Sequence, residues 1–529
     1  MIGANLRTLL AAGLATLAAA CTGAQEPPIV DAQGEGHTSS ISALTACQTL
    51  SGKTLENAKL TTTLVEATKS TPIYCKVSGT IAPKLNFEIR LPDAWNGKLY
   101  YGGGGGYNGV IPDLAVAPLN QGYAQVASDS GHQGDGMSPD FIQNDPLAAE
   151  LFGSLSVPTV MTVAMKVLTE AYGAPPVRSY FEGCSTGGRE ALMAVQRNPE
   201  LFDGVIARAP AFNWVGLMGA FNTVARAVAS PGGDFNAAKA AMLARHVRSA
   251  CDGLDGVEDG IVSNPSACTT KVLNLTSLRC AGGADAGDMC LSDAQLAVVK
   301  TWTSDLTFNG VSSSYLSKGF NLSGNEDDPE GFGLWVSGNG DVTQGGAFIM
   351  QDGTTKYYLA HDPKMDTLKY APWDKDPNAL DAMAALNDAT GPDIQPFIER
   401  GGKVIVWQGG SDAALSVSST TDYMSKVRDV VGATNSAKAT RTYVAPGVNH
   451  CGGGAGPDQA DLLAALDEWV TEGRAPGNLI AQKLDTEGKT IRALPLCQYP
   501  QYPRYKGPAN DSSAVTLAAN YVCTEPQSQ

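Results

Sequence analysis

The pentapeptide Gly183-Cys184-Ser185-Thr186-Gly187 constrains this chain more than any other stretch. A G-x-S-x-G run presents a serine hydroxyl only where a strand turns sharply into a helix above a sheet. The flanks fit that demand. Residues 178–182 are strand-like, and Gly188 to Arg197 read as a helix. A second short run, Asn449-His450-Cys451, lies far downstream. Cys184 precedes the serine and Cys451 follows the histidine, so one disulfide is able to tie the two together.

A serine hydroxyl is a poor nucleophile until a base takes its proton, and a carboxylate must hold that base in one tautomer. The chain has five histidines. His37 falls in the N-terminal leader, His246 and His361 fall in an irregular middle region, and His132 follows a strand too early in the chain. His450 comes after the last strand, where the Ser…Asp…His order of this arrangement places the base. For the carboxylate, Asp412 sits in the turn directly after the strand-like residues 403–407. Asp422 and Asp429 lie on the following helix and Asp458 comes after the histidine, which makes Asp412 the better choice. The oxyanion of an ester tetrahedral intermediate needs backbone N–H donors. Thr186 supplies one, and the glycine run Gly102 to Gly106 supplies the second from Gly104 or Gly105. No Lys-Ser/Thr follows these glycines, so they are not a phosphate loop.

Strand-like segments at 86–91, 98–101, 123–128, 178–182, 203–208, 403–407 and 441–444 alternate with helical ones, including Pro158 to Ala171 ended by Gly173 and Asp458 to Glu472. This rhythm predicts an α/β fold with a mainly parallel sheet covered on both faces. It breaks between 212 and 390 and then resumes. The expected organisation is therefore a signal peptide (1–20), a leader (21–40), a first core part (41–211), an inserted lid (212–390) and a second core part (391–529). Arg7, an apolar stretch from Leu9 to Ala20 and Ala18-Ala19-Ala20 form an export signal too short to span a bilayer. Cys21 stands where a lipoprotein carries its acylated cysteine. No other segment reads as a membrane span. A net charge of -16 argues against nucleic acid or anionic membrane as partner.

Eleven cysteines suit an oxidising compartment, secreted or periplasmic. With Cys21 set aside, the rest fall into neighbouring sets: Cys47 with Cys75, Cys251 with Cys268, Cys280 with Cys290, Cys497 with Cys523, and Cys184 with Cys451. Spacing alone does not prove this connectivity. The loop from Cys251 to Ile261 carries Asp252, Asp255 and Asp259 among glycines, a pattern suited to a hard cation with oxygen ligands. It lacks EF-hand spacing and soft zinc ligands.

Tyr101 with its glycine run and Tyr107-Asn-Gly, the Gly183-Cys-Ser-Thr-Gly-Gly-Arg elbow, the acidic loop, Gly409-Gly-Ser-Asp and Pro446-Gly-Val-Asn-His-Cys-Gly-Gly together resemble the tannase and feruloyl esterase family. The resemblance spans roughly Cys47 to Cys523. It implies an α/β-hydrolase core with an inserted lid, a Ser185–Asp412–His450 triad and a Cys184–Cys451 bridge. It also implies structural calcium held by Asp252, Asp255 and Asp259 and by the Val257 and Ile261 carbonyls. The expected activity is hydrolysis of aromatic acyl esters, feruloyl or other hydroxycinnamoyl esters ahead of galloyl ones. The branch that cleaves mono(2-hydroxyethyl) terephthalate has a lid arginine for the free carboxylate, whereas residues 336–351 here contain none. Phe332, Trp335 and Phe348 are the expected walls of an aromatic pocket. An acyltransferase and a non-catalytic calcium-stabilised binding protein are the readings from other classes.

Overall fold

The computed structural model describes residues 41–369, 373, 375–509 and 511–527. The expected signal peptide, leader and Cys21 lie outside the described residues.

Ten strands form one sheet: β1 (Thr54–Leu55), β2 (Ala58–Val65), β3 (Tyr74–Ile81), β4 (Leu85–Pro92), β5 (Lys98–Gly102), β6 (Ala124–Ser128), β7 (Arg178–Ser185), β8 (Gly204–Pro210), and, after a long excursion containing the hairpin β9 (Leu306–Asn309) and β10 (Ser314–Ser317), β11 (Lys403–Gly409) and β12 (Thr440–Ala445). Their spatial order is β1-β2-β3-β4-β6-β5-β7-β8-β11-β12. From β6 to β12 all neighbours are parallel. From β1 to β6 the pairs are antiparallel. The sheet is therefore mixed. Its antiparallel wing was not read from the sequence as such, since β2 is threonine-rich and neither β2 nor β3 has a continuous apolar run.

The parallel strands explain the apolar runs around the site. β8 and β11 are buried over nearly every residue because helices cover both faces. The helix Ser156–Tyr172 buries Val157, Val160, Met161, Ala164, Val167, Leu168 and Ala171 at three- and four-residue spacing, and Gly173 ends it at φ 80°. With its preceding turn, the run Pro146–Tyr172 is long and apolar enough to cross a membrane, which corrects the expectation that no such segment exists. Its apolar face packs in the core with Phe87, Leu99 and Phe181. Each large side chain withdrawn from water here stabilises the fold by about 1.5–3 kcal/mol. The helix Leu462–Glu472 begins later than the expected Asp458, because Asp461 caps it through the Ala464 N–H.

Between β8 and β11 the described residues add no strand to the large sheet. They build helices around a separate apolar cluster that includes Trp214, Phe235, Trp302, Phe308, Phe332 and Trp373. This body covers the C-terminal ends of β7, β8 and β11, where the parallel strands deliver Ser185 and the Asp412 turn.

Candidate active site

Ser185 ends β7 with φ 61° and ψ -119°, a strained conformation for a residue with a side chain, and the helix Thr186–Arg197 starts immediately after it. The turn is possible only because of its glycines. A Cβ on Gly183 would lie 2.6 Å from the Gly187 carbonyl carbon, and one on Gly187 would lie 2.7 Å from the Gly104 carbonyl oxygen. Such contacts leave no room for another residue.

His450 and Asp412 arrive on loops after β12 and β11. The His450 Nδ1 lies 2.9 Å from Asp412 Oδ2, with both side chains almost wholly buried. Asp412 Oδ2 also accepts from Gln408 Nε2, and its Oδ1 accepts the Ala414 and Leu415 N–H groups at 2.8 and 2.9 Å. Four donors thus fix the carboxylate, and the Nδ1–H fixes the imidazole tautomer. Nε2 is buried and has no hydrogen-bond partner among the described residues. The edge of Trp335 meets the imidazole ring with centroids 5.3 Å apart at 81°. The Cys184–Cys451 disulfide joins the elbow to this loop with Cα atoms 6.0 Å apart.

The other four disulfides pair as the spacing suggested: Cys47–Cys75, Cys251–Cys268, Cys280–Cys290 and Cys497–Cys523. The histidines set aside are accounted for structurally. His132 is buried and stacked on Phe141, and burial pushes it down to about 4. His246 bonds the Leu273 carbonyl. His361 lies in the covering body with a left-handed backbone, and His37 lies outside the described residues.

The glycine run lies against the start of the nucleophile helix. Gly187 N–H donates to the Gly104 carbonyl at 2.9 Å, and Thr186 Oγ1 donates to the Gly106 carbonyl. Gly104 was one of two expected oxyanion donors, and its N–H is instead engaged by Glu190 Oε2 at 3.0 Å. Glu190 also accepts from Asn108 Nδ2 at 2.7 Å. Burial raises this carboxyl, and the Gly104 N–H, the Arg189 charge and Asn108 oppose the rise. Among the described residues the N–H groups of Gly105 and Thr186 meet no acceptor; Thr186, as the first helical residue, has no intrahelical one. Glu190 was missed because a lone glutamate in a helix reads as a solvated face, and its long-range partners leave no local pattern.

A small cavity opens beside Ser185, lined by Gly106, Met137, Thr186, Ala211, Trp214, Leu217, Met218, Phe221, Trp335, Met350, Ala414 and Leu415. None of these residues carries a charge. Trp335 is in this wall as expected. Phe332 is not: it is 1% exposed and packs on Phe235 and Trp302 in the interior of the covering body. Phe348 is half-buried on the helix Gly346–Thr354 and does not line the cavity, to which that helix contributes Met350. Trp214, Met218 and Phe221 share one face of the helix Trp214–Val228; they were missed because residues 212–390 read as irregular, although their spacing of four and three is the signal that would have found them.

The acidic loop folds around its own backbone. Asp252 accepts the Asp259 and Gly260 N–H groups, Asp255 accepts those of Val257 and Ser263, and Asp259 faces Tyr521 and Arg492. Burial, then the Asp259 charge, pushes Asp255 up to about 7, and burial raises Asp252 and Asp259 as well. Arg492 lies 3.5 Å from Asp259, and Arg248 interacts electrostatically with Asp252. Among the described residues no three acidic, histidine or cysteine side chains come together as a group that could hold a metal ion.

The model of the tannase and feruloyl esterase family matches residues 66–524. The chain belongs to that family. It is therefore a carboxylic-ester hydrolase built on the α/β-hydrolase fold. An esterase of Agrobacterium fabrum is 34% identical over 486 residues, covering 85% of this chain and 86% of its own. The mono(2-hydroxyethyl) terephthalate hydrolase of Piscinibacter sakaiensis is 30% identical over 527 residues, covering 86% and 85%. Among solved structures, an esterase from Aspergillus oryzae superposes with a TM-score of 0.80 at 25% identity, over 91% of this chain and 100% of that one.

Proposed function

We propose that this family member is an exported serine esterase that cleaves aromatic acyl esters, feruloyl and related hydroxycinnamoyl esters foremost, through an acyl-enzyme on Ser185. The observation that carries the reading is the His450 imidazole: Nδ1 bound to a buried carboxylate and Nε2 unpartnered, on a loop disulfide-linked to the residue before Ser185. His450 Nε2 takes the Ser185 proton as Oγ attacks the ester carbonyl, and Asp412 orients the ring. The Thr186 and Gly105 N–H groups receive the oxyanion. Collapse expels the alcohol, which leaves with the proton from His450. Water then gives a proton to His450 and attacks the acyl carbonyl, releasing the acid and restoring Ser185.

The uncharged wall of the cavity supports a neutral aromatic acyl group. A free carboxylate there, or the several hydroxyls of a galloyl ring, would be desolvated without partners. Asp252, Asp255 and Asp259 with the Val257 and Ile261 carbonyls would hold calcium, which would neutralise buried charge and stiffen the loop. The five disulfides favour an extracytoplasmic setting.

A hydrolysis panel of methyl ferulate, methyl gallate and monomethyl terephthalate, with an added alcohol to detect acyl transfer, tests the proposal. Ferulate should be cleaved fastest, with free acid as the main product. Preference for the charged monoester would overturn the substrate reading, and ester exchange as the main outcome would overturn hydrolysis.

A further inference from the structure

One segment of the inserted body, residues 319–330, touches both loops that carry the acid and the base. Ser416, just beyond the Asp412 turn, donates to the Gly319 carbonyl at 2.9 Å. Asn321 Nδ2 donates to the Gly410 carbonyl at 2.9 Å, two residues before Asp412. Asn325 is buried, and its Nδ2 donates to the Gly447 carbonyl at 3.0 Å. Asp328 Oδ1 accepts from Asn449 Nδ2 at 2.7 Å, on the residue directly before His450. The Glu330 carboxylate lies close enough to Asn449 to interact with it. The segment is itself anchored, because Arg248 holds the Asp327 carboxylate through two nitrogens at 2.9 Å each.

We propose that residues 319–330 act as a clamp that fixes the Asp412 turn and the His450 loop relative to one another, with Asn321, Asn325, Asp328 and Glu330 as positioning residues for the triad. The inference rests on the Ser185–His450–Asp412 reading. The physical need for a clamp is visible in the backbone. Gly447, Cys451, Gly453 and Gly454 all have φ between 64° and 75° or 76°, so the histidine loop is built from residues with unusual backbone freedom or strain. The acid turn already meets this loop through the Gly410 N–H on the Ala445 carbonyl and the Ser411 N–H on the Val448 carbonyl, and the clamp adds side-chain bonds to both where acid–base catalysis depends on placement. The segment that walls the acyl cavity continues directly from the clamp at Trp335, so one piece of chain both contacts the acyl group and positions the base.

The test is a pair of double variants in the full-length protein. Asp328→Ala/Glu330→Ala removes the acceptor of Asn449 and the second carboxylate beside it. Asp328→Asn/Glu330→Gln keeps an oxygen acceptor at each position without the charge. With methyl ferulate, the alanine pair should lower kcat about tenfold, the rate equivalent of one lost hydrogen bond, with KM within about twofold. The amide pair should restore the rate. Asn321→Ala, which frees the acid turn instead, should lower kcat in the same way. Melting temperatures keep folding apart from positioning, and kcat is taken per folded molecule. Wild-type kcat in the alanine pair would overturn the clamp, as would an amide pair as slow as the alanine pair, or a loss that tracks only the folded fraction. Ser185→Ala run in parallel separates the two readings: if it stays active the triad is wrong, and if it is dead while the alanine pair is fast only the clamp is wrong.

Discussion

Removing the Cys184–Cys451 bridge should damage this enzyme in two separable ways. The perturbation is Cys184→Ser/Cys451→Ser. The bridge spans a sequence separation of 267, for which the chain-entropy relation gives about 5.6 kcal/mol of stabilisation. That figure is an upper one, since the Cys251–Cys268 and Cys280–Cys290 bridges already restrict the same stretch of unfolded chain. The catalytic effect is distinct from this. Both half-cystines are covalent neighbours of Ser185 and His450, and Cys451 itself has a left-handed backbone with φ 64°. Without the bridge the base loop is retained by hydrogen bonds only, among them the Asp412, Asp328, Gly447 and Ser411–Val448 contacts. A displacement of roughly 1 Å between nucleophile and base costs about a hundredfold in rate. The assay is kcat at a temperature where the variant is fully folded by circular dichroism, normalised by active-site titration. A hundredfold drop in the folded variant is expected. Wild-type kcat per folded molecule, or peptide mapping that finds both thiols free in active enzyme, would refute the reasoning.

Glu190→Ala should leave the Gly104 N–H and Asn108 Nδ2 buried without acceptors, at about 1–3 kcal/mol each, and should lower kcat on methyl ferulate by more than KM changes. Stopped kinetics and melting curves check both effects. Chelation should lower the melting temperature, because a cation bound only to the folded loop at a hundredfold excess over Kd contributes about 2.7 kcal/mol. Asp252→Asn/Asp255→Asn should abolish that dependence, and identical melting curves with and without chelator would remove calcium from the account. Monomethyl terephthalate should be cleaved on the order of a hundredfold more slowly than methyl ferulate, since its carboxylate meets no charged group in the cavity wall. An arginine in place of Met350, which lines the cavity, should narrow that gap in kcat/KM.

The parts of the site that obey local rules were legible in the sequence. The elbow needs glycines at fixed offsets, the acid and base follow their strands in a fixed order, and the cysteines pair as their spacing suggested. Asp412 and His450 therefore bond each other, and Cys184 and Cys451 tie the Ser185 elbow to the His450 loop. What was not legible depends on distant partners. Glu190 takes Gly104 out of contention for the oxyanion because a helix and a loop 86 positions apart pack together. Phe332 and Trp335 lie within one helical turn of each other, and only the packing of Phe235 and Trp302 decides which of them is interior. The antiparallel wing escaped notice because threonine-rich edge strands lack the continuous apolar runs of the buried parallel ones.

The central claim is that Ser185 carries the acyl group. Rapid mixing of the enzyme with p-nitrophenyl ferulate, acid quench and intact-protein mass spectrometry, followed by peptide mapping, measures that directly. A burst of p-nitrophenol near one equivalent, with a feruloyl adduct on the peptide containing Ser185 that is absent from Ser185→Ala, is the expected result. A linear release with no adduct on that peptide, in enzyme that still turns over, would contradict the account.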